Sequence, residues 1–484
     1  MLTNTNINMK RNYFKIGLSI VFTLLFSQLI LAQQPKVWTK TKQPLKEIKQ
    51  LRKQIKAPKF LDKDYRVTDF GAIGDGITKN SEAFKKVIET CNANGGGRVI
   101  VPSAVFLTGP IYLKSNVNLH LEDGATILFS RDTKDYPIVF TRWEGMECMN
   151  YSPQIYAYGE ENIAITGNGT LDGNADNNNW WNWNGSKDYG WKEGMPKQTP
   201  AREALHQLMY KEVDPKERIF GDGHWLRPNM LQPYNCKNVL ISDVKMVNSP
   251  MWFMNPVLCE NVIIDGVKVV SLGPNNDGCD PESCKNVLIK NCYFDTGDDC
   301  IAIKSGRDQD GRRIGRPAEN HIIENCMMKE GHGGVVIGSE IAGGARNIYA
   351  LNNTMDSPYL DRVLRIKTSS SRGGIVENVF MKDTKVGTYK DAAIRFNMFY
   401  EKPGNFIPTI RNIWVENLEV EKGGRYGLLS AAYESSPVQD VTLININING
   451  VQVPIKADYI KNISFENVII NGKKISGIED GKQP

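Results

Sequence analysis

The chain has 484 residues, 41% hydrophobic and 23% charged, an ordinary globular composition with ample material for a core. Its formal net charge of +5 is too mild to mark a nucleic-acid binder, and it carries no zinc-finger spacing or RNA-binding aromatic motif. Length alone suggests about three domains, a prior that fails for long repetitive β architectures.

In chain order, residues 1–32 read as a targeting segment. Lys10, Arg11 and Lys15 precede an uncharged run from Ile16 to Ala32, and the chain turns polar at Gln33. This pattern predicts a secretory signal cut after Ala32. Ile30 is large for its place three positions before the cut, so an uncleaved anchor is the alternative, and Met9 is a second candidate start. The expected destination is the periplasm or the extracellular space, with no membrane partner in the mature form. Residues 33–63, basic from Lys36 to Lys59, predict a linker with a short surface helix. Nine cysteines in an exported chain predict one or two disulfides at most, because several fall in apolar, strand-like runs where free cysteine packs as a small hydrophobe. Cys279 and Cys284 make no CxxC pair, so no zinc site is expected.

The stretch "YRVTDFGAIGDGITKNSEAFKKVIETC" predicts a strand, a Gly-rich turn and a helix from about Ser81 to Cys91, with Asn80 or Ser81 as N-cap. That helix is placed as a cap on the open N-terminal end of a repetitive region downstream. "GGGRVIVP" lacks the ending of a phosphate loop and reads as a turn into a strand. From residue 160 one phrase repeats, a polar residue and Asn followed by a short apolar strand. It appears as "ENIAITGNG" at 161, "KNVLISDVKM" at 237, "ENVIIDGVKV" at 260, "KNVLIKNCYF" at 285, "ENHIIENCMM" at 319, "RNIYALNNTM" at 346, "ENVFMKDTKV" at 377 and "RNIWVENLEV" at 411, with weaker copies at 439 and 461. Spacings of 22 to 34 residues, broken once between 162 and 238, signal a solenoid. Short Val- and Ile-rich strands make it an all-β solenoid over 64–484, a right-handed parallel β-helix whose recurring asparagines stack as an amide ladder. The long break, about 173–236, carries Trp180, Trp181, Trp183, Trp191, Trp225 and Arg227. Its tryptophans are candidates either for stacking on sugar rings or for packing the loop.

Unusual polar residues recur at similar offsets from the ladder. Asp277 lies 16 residues after Asn261, Asp298 12 after Asn286, His332 12 after Asn320 and Arg365 18 after Asn347. Stacked coils convert that spread into one patch about 15 Å tall. A single aspartate of this kind is usually a solvated loop residue, but Asp277, Asp298, Asp299 and His332 together provide the carboxyl groups that glycosidic cleavage requires, and crowding raises at least one carboxyl pKa. Arg365 and Lys367 alternate on a strand and share a face suited to an anionic substrate. Asp298 and Asp299 are adjacent, so the backbone there must bend for both to reach one site.

These residues resemble the polygalacturonase family of glycoside hydrolases (family 28), whose NTD, [GQ]DD, GHG and RIK motifs appear here as Asn275-Asn276-Asp277, Gly297-Asp298-Asp299, Gly331-His332-Gly333 and Arg365-Ile366-Lys367. The flanks "VTDFGAIGDG", "NSPMW", "IGS" and "RGG" match too, and the likeness spans roughly 65 to 470. The resemblance implies an inverting hydrolase of α-1,4-galacturonan, with no metal or other cofactor, acting as a monomer on pectic polysaccharide or oligogalacturonide. By position it makes Asp298 the general acid, Asp277 and Asp299 the groups that hold and activate water, His332 an assistant, and Arg365 and Lys367 carboxylate binders together with Asn275. Asn276 replaces the usual threonine. "IAIKSGRDQDGRR" is similar to bacterial, partly exo-acting branches, and it offers Lys304, Arg307, Arg312 and Arg313, with Arg227, as further substrate contacts. Exo action is favoured, with the insertion closing one end of the groove. The alternatives are a galacturonidase of rhamnogalacturonan or substituted pectic oligosaccharides, a calcium-dependent pectate lyase, and a non-catalytic glycan-binding β-helix.

Overall fold

Asn116 begins a column that runs along most of the solenoid. The Nδ2 of Asn162 donates to Oδ1 of Asn116, and the pattern repeats through Asn238, Asn261, Asn286, Asn320, Asn347, Asn378 and Asn412 at 2.6–3.3 Å. All nine have φ between 54° and 63°, the left-handed region that asparagine tolerates best among side-chain-bearing residues. One residue type thus turns the corner of each coil and bonds to the next. The ladder starts one coil earlier than the repeat predicts, and it crosses the long break directly, since Asn238 bonds to Asn162.

The structure, a computed structural model, describes residues 38–39 and 43–478. The expected signal segment and its cleavage point lie outside the described residues. Among those described, no helix is long and apolar enough to cross a membrane. A typical coil contributes a first strand that carries the ladder asparagine, a short second strand and a third strand, paired in parallel with neighbouring coils; from Asn378 onward the first two run together as one long strand. The parallel β-helix is therefore as expected. Alternate residues point inward to build one aliphatic core, for example the stack Ile241, Ile264, Ile289 and Ile323. Helix α1 (Leu45–Gln54) buries Ile48 and Leu51, and Arg52 pairs with Glu324 at 2.5 Å. The predicted linker is thus docked on the solenoid's flank, because an apolar stripe hidden among its lysines has a partner there.

Helix α2 (Ser81–Ala93) caps the N-terminal end, packing Phe84, Val87 and Ile88 into the core. Asn80 is its N-cap residue but makes no side-chain cap. It bonds instead to Ile73, Thr78 and Leu107 and closes the preceding turn. The nine cysteines are all buried and free, so the expected bridges are absent.

The break holds more structure than a loop. It leaves one coil between the second strand Thr170–Asp172 and the third strand Leu231–Tyr234. Helix α3 (Thr199–Tyr210) packs Ala201, Leu205 and Met209 against an antiparallel hairpin, Ile138–Trp143 with Met146–Tyr151, and against Trp252. Trp180 and Trp183 are buried among Tyr136, Tyr151 and Ala175, and Trp181 donates to Ser249 O at 2.9 Å. These three tryptophans pack and anchor the loop, the second of the two readings.

Candidate active site

The corner between the second and third strands collects the polar residues. Asp277 follows the strand Lys268–Ser271, and His332 precedes the strand Val335–Ile337. Asp298 and Asp299 lie in the bend between the strands Tyr293–Thr296 and Ile301–Ile303. The chain leaves the strand there, and Asp299 N donates to Asp298 Oδ1 at 2.9 Å, so both side chains reach the same place. One carboxylate oxygen from each of Asp277, Asp298 and Asp299 lies within 4.8 Å of the others. Arg365 and Lys367 come from the next strand, Arg362–Lys367, while their neighbours Leu364 and Ile366 enter the core.

The three carboxylates have different surroundings. Asp299 is buried, accepting from Lys367 Nζ at 2.6 Å and Arg365 Nη1 at 3.3 Å. Asp298 is partly open and takes His332 Nδ1 at 2.9 Å. Burial would raise its pKa, but the His332 hydrogen bond and the charges of His332, Lys367 and Lys304 hold it well below the usual carboxylate range. The same contact raises His332 above the ordinary imidazole value. In the resting site the proton of the pair therefore sits on His332. For Asp277, burial and then the Asp280 and Asp298 carboxylates push the pKa well up, against the pull of Lys304 3.7 Å away. Two carboxylates of one cluster thus move in opposite directions, Asp298 towards the ionised form and Asp277 towards the protonated form.

Several buried groups fix this geometry. Asn276 is fully buried. It donates to Ser249 O and Met251 O at 3.0 and 2.9 Å, and accepts from Ser271 Oγ and Gly273 N at 2.7 and 3.1 Å. A threonine cannot make all four bonds, so the departure at this position strengthens the corner. Asn275, with φ 54°, accepts from Arg227 Nη2 at 2.6 Å and from Asn184 Nδ2 at 3.3 Å. Arg227 is wholly buried and also bonds Gln198, Pro250 O and Pro274 O. It holds Asn275 and is not a free substrate contact.

The remaining predicted cations are likewise paired within the protein, Lys304 and Arg307 buried, Arg312 half-buried and Arg313 exposed. Lys304 is buried beside Asp277, Asp280 and Glu340 and lies over the Trp252 ring. Arg307 is buried against Glu340 and Glu401. Arg312 donates to Ser371 O and Arg372 O, and Arg313 pairs with Glu147. Folding the "KSGRDQDGRR" segment into helix α4 (Asp308–Ile314) turns what reads as a solvated loop into one side of a buried ionic network.

Sequence reasoning missed Tyr189, Tyr400, Asp280 and Glu340. Tyr189, in the insertion, is close enough for Asp298 to raise its pKa after burial does, and Tyr400 lies 5.5 and 5.2 Å under Arg365 and Lys367. Only Asp280 left a signal. It alternates with the core residue Cys279, so an acid stands on the outer face of the strand-like run that carries Asp277.

The family model "Glycosyl hydrolases family 28" matches residues 221–469. A solved structure, a hyperthermoactive exopolygalacturonase from Thermotoga maritima, is 46% identical and superposes with a TM-score of 0.87, covering 90% of this chain and 97% of that one. A probable polygalacturonase of Vitis vinifera is 29% identical over 341 residues, 67% of this chain and 61% of that protein. An exo-poly-alpha-D-galacturonosidase of Dickeya chrysanthemi is 25% identical over 443 residues, 85% of this chain and 67% of that protein. The chain thus spans about two thirds of the length of these two relatives. With the matched region holding every motif residue of the corner, and the fold shared nearly end to end with the Thermotoga enzyme, this chain belongs to family 28 of the glycosyl hydrolases.

Proposed function

We propose that the protein hydrolyses α-1,4-linked galacturonic acid in pectic chains, with inversion and from the chain end. The observation that carries this reading is the cluster itself, three carboxylates sharing one corner with two cations beside them. Asp298 passes to the leaving oxygen a proton delivered by His332 Nδ1, 2.9 Å away. Asp277 and Asp299, whose oxygens lie within 4.8 Å, are close enough to hydrogen-bond one water between them and to take up its proton as it attacks. The carboxylate oxygens stand closer than is usual for an inverting pair, so the inverting outcome is taken from the resemblance to the family and not from their separation. Arg365 and Lys367 set the neighbouring sugar by its carboxylate, and Asn275 is a further contact. Exo action is supported by the insertion, which brings Asn184 and Tyr189 to the corner, and by the exopolygalacturonase similar over nearly all of this chain.

A calcium-dependent lyase is disfavoured because Lys304, Arg365, Lys367 and His332 already stand against the three aspartates and oppose a divalent ion there. The test is hydrolysis of polygalacturonate followed by nuclear magnetic resonance. Expected are galacturonic acid as the first product, an inverted anomer, no unsaturated product and no effect of chelator. Asp298→Asn loses activity roughly 10²–10⁴-fold. A retained anomer, an early viscosity drop with mixed oligomers, or an active Asp298→Asn enzyme each refutes the corresponding part. Export is proposed from the leader-like sequence, and N-terminal sequencing of the secreted protein checks it.

A further inference from the structure

Beside the site, Arg395 has no hydrogen-bond or ion-pair partner among the described residues. Arg395 lies on the strand Ala392–Asn397, where Ile394 and Phe396 enter the core, so its side chain points outward. That strand pairs in parallel with Arg362–Lys367, placing Arg395 directly opposite Arg365. Two guanidinium side chains therefore start from adjacent coils, about 4.8 Å apart at the backbone.

The acids nearby are engaged. Asp391 pairs with Arg362 at 2.8 Å, Asp361 with Arg362 and Lys390 at 3.1 and 3.4 Å, and Asp299 with Arg365 and Lys367. Arg395 itself makes no hydrogen bond or ion pair with the described residues, and its Nη1 is buried without an acceptor. Burial weakens its hold on its proton; Asp391 and Tyr426 support the charge, while Arg362 and Arg365 oppose it. A desolvated guanidinium facing two like charges is an uncompensated cost that an incoming carboxylate relieves, with bidentate geometry available.

We propose that Arg395 is a second carboxylate-binding position, which reads the uronate next along the groove from the one held by Arg365 and Lys367. The spacing of adjacent coils is close to that of successive sugars in an extended chain, so a row of cations on successive coils selects runs of unesterified galacturonate. The assignment rests on the galacturonan reading above, and deepens it.

The test is calorimetric titration of trigalacturonate, and of its fully methyl-esterified form, into Asp298→Asn protein with and without Arg395→Gln. The acid is expected to bind about tenfold more weakly to the double variant, while the ester changes less than about twofold. Arg395→Lys restores part of the loss. In the active enzyme, Arg395→Gln raises KM for trigalacturonate far more than it lowers kcat. Unchanged affinity for the acid, no binding of the acid to Asp298→Asn, or an equal loss for acid and ester overturns the proposal, the last by showing a merely structural role. If the unmodified protein releases no sugar from polygalacturonate, the hydrolase reading fails by itself, and the acid-against-ester comparison still decides Arg395.

Discussion

Asn276→Ala removes the fastener of the catalytic corner while leaving every charged group in place. Four hydrogen bonds of 2.7–3.1 Å are lost at a fully buried side chain. They do not count equally. Ser249 O keeps a second donor, Trp181 Nε1, and the Ser271 hydroxyl can rotate. Met251 O and Gly273 N are left orphaned and buried, at about 1–3 kcal/mol each. The expected loss of stability is therefore roughly 3–5 kcal/mol, and Asn276→Thr, whose hydroxyl can donate once and accept once, should cost about half of that. Because Asp277 is the next residue, a shift of the corner also lowers kcat by about 10²-fold for a displacement of 1 Å. Urea unfolding gives the first quantity, steady-state kinetics the second, and amide exchange at Gly273 N reports the corner locally. A cost below about 1 kcal/mol for the alanine variant, or a threonine variant worse than alanine, would refute the reasoning.

The remaining predictions concern charge and thiols. Asp298, held low in the folded protein, contributes stability above its unfolded value of about 3.9 that is lost as pH falls through its lower folded value; His332, held high, contributes below about 6.5 and loses it as pH rises through its higher folded value. The melting-temperature gap between the unmodified protein and His332→Gln should therefore be widest between about pH 4 and 6.5, and a gap that grows above pH 7 contradicts the pairing. Since the His332 side chain is 54% exposed, the gap is small. Lys304→Met strips the buried cation from Asp277, Asp280 and Glu340 and should cost about 3–5 kcal/mol, with Asp280→Asn in the same chain recovering part, measured by thermal unfolding. Thiol titration of the denatured, unreduced protein should find nine free thiols; a lower count means that a bridge forms.

The solenoid and the polar corner proposed as its active site were legible because both depend on local chemistry repeated at a fixed offset. Asparagine is one of few residues that can turn left-handed and still bond to its copy on the next coil, so the ladder appears directly in the sequence, and counting from it places Asp277, Asp298, His332 and Arg365 in one sector. The backbone bend at Gly297–Cys300 follows from two adjacent aspartates needing one site. What the sequence could not show depends on contacts between distant segments. Lys304, Arg307 and Arg227 look like loop cations until Glu340, Glu401 and Asn275 arrive from other coils to bury them. The linker helix needs Glu324, 272 residues away, to become part of the flank. Arg395 carries no motif, and only the parallel register that sets it opposite Arg365 gives it a role. The ladder period determines which residues share a face, but charge compensation is a sum over all neighbours in space, and that sum exists only once the coils are stacked.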